Sequence, residues 1–378
     1  METITIPSEG VEKSAINWKV MGSLVALYAS IIIGWIAYEQ YQPRLLVQFG
    51  FTEFAGALAI AQGFILTLTP PIAGKLGDKF RISRGHRFPV ISLGINFAAM
   101  VFMAVAFTLI GNPGEVLKWA LPVLIILWLV AMSIFTSPAL STIETFIPIE
   151  KLPRAMAILT ITANLLYSLE PVIVDIIDYL GAPVTFIAGG VFVFLAGLAL
   201  KRNAFAFLKQ RGGDTVKETT SASQVRHTSA YGFIFLMGAI LGVVTALLFH
   251  MFPEILAVSL TDMLGESDSK VVVVGVLIVS GILSLPFSTL VNRYGLRRSF
   301  LISVGVCAVA IASLFLFSFS PIVLVTLLVF AIGYAALSVC SLPLAMEKSG
   351  FYEKVMCVGI FFAGVALPDA IFEVLEVM

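Results

Sequence analysis

The chain has 378 residues, with 23 Lys and Arg balanced by 23 Asp and Glu and therefore no formal net charge. Hydrophobic residues make up 59% and charged residues 12%, about half the roughly 25% charge of a soluble domain, and the mean hydropathy is +1.02. A soluble globular protein is excluded, a neutral chain offers no footing for nucleic acid, and the lipid bilayer becomes the first partner.

In chain order, residues Met1 to Asn17 are polar and lack a cleavable signal-peptide pattern. A bilayer crossing needs about 20 mainly apolar residues. Eleven stretches qualify: 18–39, 52–76, 88–111, 116–140, 153–180, 182–200, 229–251, 270–291, 298–318, 320–344 and 353–376. The fold class is therefore all-α, a polytopic membrane protein of about 11 transmembrane helices. The stretch from Lys201 to Ser229 is rich in Ser, Thr, Gly and charge and reads as a linker. This divides the chain into an N-terminal six-helix bundle (1–200), a cytoplasmic linker (201–228) and a C-terminal bundle of five helices (229–378).

Basic residues fix the expected orientation. With a cytoplasmic N-terminus, the inside segments hold Lys13, Lys19, the cluster from Lys75 to Arg87, Lys151, Arg154, the linker bases, Arg293, Arg297, Arg298, Lys348 and Lys354. Only Arg44, Lys118 and Lys270 fall outside, an asymmetry that follows the positive-inside rule. The expected place is the cell (inner or plasma) membrane, with an extracytoplasmic C-terminus.

The halves repeat. Pro43-Arg44-Leu45-Leu46 near the end of helix 1 matches Pro253-Glu254-Ile255-Leu256 near the end of helix 7. Leu169-Glu170-Pro171 on helix 5 matches Leu367-Pro368-Asp369 on helix 11. The basic turn after helix 2, with Gly74, Asp78, Lys79, Arg81, Arg84 and Arg87, has a weaker copy at Asn292-Arg293-Tyr294-Gly295-Leu296-Arg297-Arg298. Parallel repeats with a site at their interface are a transporter architecture. By that repeat the second half is one helix short, so a partner membrane subunit filling the missing twelfth helix is one expectation.

The turn Gly74-x-x-x-Asp78-Lys79-x-Arg81 resembles the signature loop of the major facilitator superfamily. Within it, Gly34-Trp35, Pro43, Phe49-Gly50-Phe51 and Ser83-Arg84-Gly85-His86-Arg87-Phe88-Pro89 resemble the sucrose-transporter and glycoside:cation symporter branch. That branch carries Pro-x-Arg-Ala on helix 4 with an acid a few residues on. Here Leu140 stands where the Arg would be, with Glu144 near the acid's place. The resemblance implies a two-bundle fold that alternates access to a central site. It also implies a cytoplasmic gate built on Gly74, Asp78, Lys79, Arg81, Arg84, Arg87, Arg293, Arg297 and Arg298.

Ionisable groups within a spanning helix cost roughly 2.5–3.5 kcal/mol each at the bilayer centre. Here they are acids near the outer ends. Glu170 follows Arg154 by sixteen residues, and Asp369 follows Glu353 by the same number, about 24 Å of helix rise. Asp369, Glu373 and Glu376 form one stripe. Glu39, His250 and Glu254 reach a similar level. Glu170, Asp369 and Glu39 are the candidate coupling or proton sites, and Tyr38, Gln40, Gln62, Asn164, Tyr167 and His250 the candidate substrate cavity. Packing, interface anchoring and helix-end solvation are the competing readings of these residues. The three cysteines, Cys307, Cys340 and Cys357, lie in apolar runs without ligand spacing. No nucleotide loop, catalytic triad or metal cluster is present in the sequence, so neither enzyme activity nor a cofactor is expected.

The expected function is secondary active transport of a small solute, coupled to a proton or another cation, with a sugar or glycoside as one substrate class. One alternative is a cationic substrate such as a metal ion, amine or drug. Another is a non-transporting accessory or assembly subunit of a larger membrane complex.

Overall fold

A computed structural model describes residues 16–84, 86–111, 117–210, 228–260, 270–317 and 319–377. Its helices are α1 (Trp18–Gln48), α2 (Ala55–Arg84), α3 (Phe88–Ile110), α4 (Ala120–Leu140), the single turn α5 (Ile143–Phe146), α6 (Leu152–Ser168), α7 (Glu170–Leu180) and α8 (Ala182–Gln210). After the linker come α9 (Tyr231–Ala246), α10 (Phe252–Ser259), α11 (Lys270–Tyr294), α12 (Leu296–Leu316), α13 (Ser320–Glu347) and α14 (Lys354–Val377). Among the described residues ten helices or continuous helical runs are long and apolar enough to span a bilayer, and eleven when the bent pair α6–α7 is counted as one span. Helices satisfy every backbone group internally, which is why hydrocarbon selects them.

Asn17 starts α1: its Oδ1 accepts the N–H groups of Lys19 and Val20 at 3.1 and 3.2 Å, satisfying two of the orphan donors of a helix start. The helix then continues through Pro43 to Gln48 instead of stopping at 39. Burial of Tyr41, Leu45 and Leu46 keeps that extra length against the protein.

The basic signature is helix, not loop. α2 runs through Gly74, Asp78 and Arg81 to Arg84, and α3 begins at Phe88. Arg81 and Arg84 in the last turn of α2 complement its dipole, and Pro89 suits the first turn of α3. At the repeat-related turn a single residue, Gly295, separates α11 from α12 at φ +87°. That left-handed backbone is one that glycine adopts without strain.

Two further elements differ from expectation. The predicted helix 5 breaks at Leu169, where α6 and α7 meet at 60°. Pro171 removes an N–H just after that point. α8 extends ten residues beyond 200, so the start of the predicted linker is helical, and residues 211–227 of it lie outside the described residues.

α1, α3, α4 and α8 pack on one another, as do α9, α11, α12 and α13. The two sets of helices meet through two long pairs, α2 with α14 and α6 with α11. Glycine makes the first pair close. A Cβ on Gly74 would lie 2.5 Å from the Val355 carbonyl oxygen and 2.6 Å from Met356 Cα, and one on Gly359 would strike the backbone of Pro70. Small residues at such crossings let membrane helices gain dispersion contact that lipid cannot match.

Candidate functional site

The long α2–α14 contact carries polar groups at both ends. At the end where α2 terminates, Asp78 is 4% exposed. Its Oδ1 accepts the Val355 N–H at 3.1 Å and its Oδ2 the Met356 N–H at 2.8 Å. These are free donors of the first turn of α14, where the helix dipole also favours an anion. Arg81 brings Nε to 3.7 Å from Asp78, hydrogen-bonds the Phe351 carbonyl and lies 5.0 Å over the Phe351 ring.

Beside this contact lies a second one centred on Glu144 of α5. Its carboxylate is 2.9 Å from Arg87, 3.2 Å from Lys354 and 4.0 Å from Arg81. Arg87 also donates to Ser141 Oγ at 2.6 Å. Burial pulls the Arg87 pKa down, and the Glu144 carboxylate beside it opposes that shift. Lys354 opens α14, so Glu144 joins both sets of helices through one carboxylate. Breaking such a buried pair by removing one partner costs about 3–5 kcal/mol, because the other charge stays buried and unpaired.

Of the gate residues named from sequence, Gly74, Asp78, Arg81 and Arg87 come together here. Lys79 is exposed, and Arg84 is exposed and lies 5.2 Å over the Phe80 ring. Arg293, Arg297 and Arg298 are exposed and make no ion pair among the described residues. The polar knot is therefore one-sided: it belongs to the first copy of the repeat and not to the second. Glu144 and Lys354 complete it. The sequence signals for Glu144 are its place shortly after an apolar helix and its nearness to the helix 4 acid of the resembled symporter branch.

At the opposite end, Tyr38 stacks on Trp128 at 4.7 Å and donates from its hydroxyl to Gln62 Oε1 at 2.7 Å. Gln62 Nε2 donates to both oxygens of Glu373, at 2.7 and 2.5 Å. This chain crosses from α1 through α2 to α14. His250 faces Asp369 at 3.0 Å and Glu376 at 2.7 Å. Glu39 is exposed and within electrostatic reach of Glu170, Asp369, Glu373 and His250. Glu170 itself is within reach of Lys270 at the start of α11. The acids named from sequence thus share one region with Tyr38, Gln62 and His250.

The remaining candidates are placed differently. Tyr167 meets the Phe249 ring at 5.3 Å, beside this region. Asn164 donates to Ser280 Oγ at 2.8 Å and forms a buried bridge between α6 and α11. Gln40 points elsewhere: it lies 3.4 Å from Asp178, which Arg44 holds at 2.7 Å. With the Tyr41 hydroxyl donating to the Ile177 carbonyl at 2.7 Å, that contact ties the bent helix α7 to α1.

The arrangement has a chemical sense. At one end of the bundle Asp78 of α2 accepts two N–H groups of α14, and Glu144 of α5 pairs with Lys354 of α14. Among the described residues the other end gathers four carboxylates, Glu39, Asp369, Glu373 and Glu376, around the His250 imidazole, with a fifth, Glu170, within reach of Glu39 and of Lys270.

Comparison with known proteins agrees with this architecture. The family profile of the Major Facilitator Superfamily matches residues 54–372. Compared by sequence with curated proteins, the chain matches none. Among solved structures it is similar to the human organic anion transporter MFSD10, with a TM-score of 0.68 at 13% identity, covering 95% of this chain and 93% of that one. It is similar to a bacterial homologue of the iron transporter ferroportin in an outward-facing state, with a TM-score of 0.65 at 16% identity, covering 94% and 91%. It is similar also to the proton:xylose symporter XylE, with a TM-score of 0.63 at 13% identity, covering 96% and 88%. At these identities the likeness is one of fold. With a family profile matching residues 54–372, most of its length, the chain belongs to the Major Facilitator Superfamily, a family of transporters and not of enzymes.

Proposed function

We propose that the chain is a secondary transporter that moves a small solute by alternating access, driven by a proton or another cation. The end carrying Asp78 and Glu144 is its cytoplasmic gate. Residues 1–200 and 229–378 are the two rocking halves, with 201–228 between them. The observation that carries this reading is the Asp78 carboxylate seated on two N–H groups of α14. It is a buried charged contact between the two halves, and two carboxylate hydrogen bonds and their neighbouring ion pairs can break and re-form together. Glu170, Asp369 and Glu39 are the coupling acids, because they share one region at the far end with water access. Proton uptake in this region lowers the cost of enclosing its negative charge.

For the substrate, the helix 1–3 resemblance supports a sugar or glycoside. A second reading, a cationic substrate, is favoured by two observations: among the described residues the five carboxylates are accompanied by one imidazole and one lysine, and the amides suited to a sugar are engaged, Gln62 with Glu373 and Asn164 with Ser280. The test is flux into proteoliposomes under an imposed proton gradient, with methyl glucoside and tetraethylammonium as the two probes. The reading expects gradient-driven accumulation of one of them. It also expects Glu170→Gln to abolish accumulation while leaving exchange of that probe intact. Unchanged accumulation in Glu170→Gln removes that acid from the mechanism.

A further inference from the structure

Between α9 and α10 the helix widens into a π segment, Leu247–Met251, a distortion that recurs at functional positions. It carries His250, whose ring lies 5.3 Å from that of Phe372 and nearly parallel to it, at 9°. Each ring nitrogen faces a carboxylate oxygen: Nε2 faces Asp369 Oδ1 at 3.0 Å and Nδ1 faces Glu376 Oε1 at 2.7 Å. Ionised carboxylates only accept, and a neutral imidazole has one N–H. With that single proton, one contact would set a ring lone pair against a carboxylate lone pair at hydrogen-bonding distance. Two such contacts on one ring require a second proton.

The neighbouring charges favour keeping it. Glu39 faces His250 from α1, and Glu373 faces it from α14 beside Asp369 and Glu376. The nearby Lys270 is within reach of Glu170. Glu254 follows on the next turn of α10. Glu373 is one turn from Asp369 and one turn from Glu376 on the same face of α14. It is also the residue that accepts both Gln62 hydrogen bonds across the halves.

We propose that Asp369, His250 and Glu376 form the seat of the coupling proton, carried on the His250 imidazole, and that its departure loosens the Glu373–Gln62 contact between the halves. The proton comes from water at this end, since the Asp369 and Glu376 side chains are 49% and 60% exposed. It binds the ring lone pair, and on release it returns to water. The ring then keeps one N–H bond and repels the other carboxylate. No other bond forms or breaks. This rests on the gradient-driven reading above but adds a site that can be measured without transport.

The first measurement is nitrogen NMR of the full-length protein in nanodiscs, without substrate, with 15N-histidine and the His250→Gln variant to assign the signal. At about pH 7.5, one unit above the ordinary histidine value, both ring nitrogens of His250 are expected to be protonated. In the Asp369→Asn, Glu376→Gln double variant the ring is expected to be a neutral single tautomer at the same pH. A neutral single tautomer in the unmodified protein overturns the proposal. The second measurement is the proteoliposome flux, with methyl glucoside and tetraethylammonium as probes. His250→Gln is expected to lower gradient-driven accumulation at least about tenfold, and accumulation equal to the unmodified protein overturns the seat. Loss in His250→Gln with no loss in Glu170→Gln supports the seat and removes Glu170 from the coupling reading.

Discussion

Glu144 carries more of the inter-helix contact than its place in the sequence suggests. Three bases converge on it, two from before α4 and one from the start of α14. Glu144→Gln leaves Arg87, 3% exposed, without its counter-charge. The expected cost is about 3–5 kcal/mol, read as a lower thermal midpoint of the purified protein at fixed lipid and pH. Asp78→Asn is milder, about 1 kcal/mol, because an amide oxygen still accepts one of the two α14 N–H groups. Equal midpoints for the two variants would contradict this ordering. The bases were legible in sequence because charge stands out against apolar runs. Their partners were not. Glu144 and Lys354 lie far from Arg87 along the chain, and only packing brings them to it. Likewise Gln40 reads as a neighbour of Tyr38 and Glu39, but it faces Asp178 on α7.

Among the helices, the number of spans was legible because each needs its own long apolar run. The ends and breaks were less so. Basic residues at 75–87 look like a loop, but a helix C-terminus welcomes Arg and Lys, so α2 absorbs most of them. The bend at Leu169 was marked only by Glu170-Pro171, which reads equally well as a tolerated proline. Pro171→Ala restores the missing donor and should straighten the α6–α7 junction. The expected outcome is loss of the Arg44–Asp178 contact, detected as failure of an Arg44→Cys, Asp178→Cys pair to crosslink in that background; crosslinking as efficient as with Pro171 present would contradict it. Gly74 makes a matching case on α2. Gly74→Leu puts a side chain where the Val355 carbonyl lies, so α2 and α14 cannot close at that end. An introduced Ser141→Cys, fully buried in the closed form, should then react with a water-soluble maleimide at least about tenfold faster. Unchanged reactivity would show that the helices accommodate the extra bulk.

For the protein as a whole, the sequence repeat predicts two related basic turns, and the two turns are not equivalent in chemistry. The Asp78–Glu144 knot occupies one copy, while Arg293, Arg297 and Arg298 of the other copy form no ion pair among the described residues. On the proposed function, closure at the basic end depends on the Asp78 and Glu144 contacts, and weakening them should shift the balance between the two access states. The direct measurement is the distance between spin labels at Ile82 of α2 and Tyr352 before α14, both exposed positions, 59% and 57%. By pulsed electron spectroscopy in nanodiscs, the unmodified protein should give one dominant short distance, and Glu144→Gln should add a longer population. The same short distribution in both proteins would contradict an opening gate at this end.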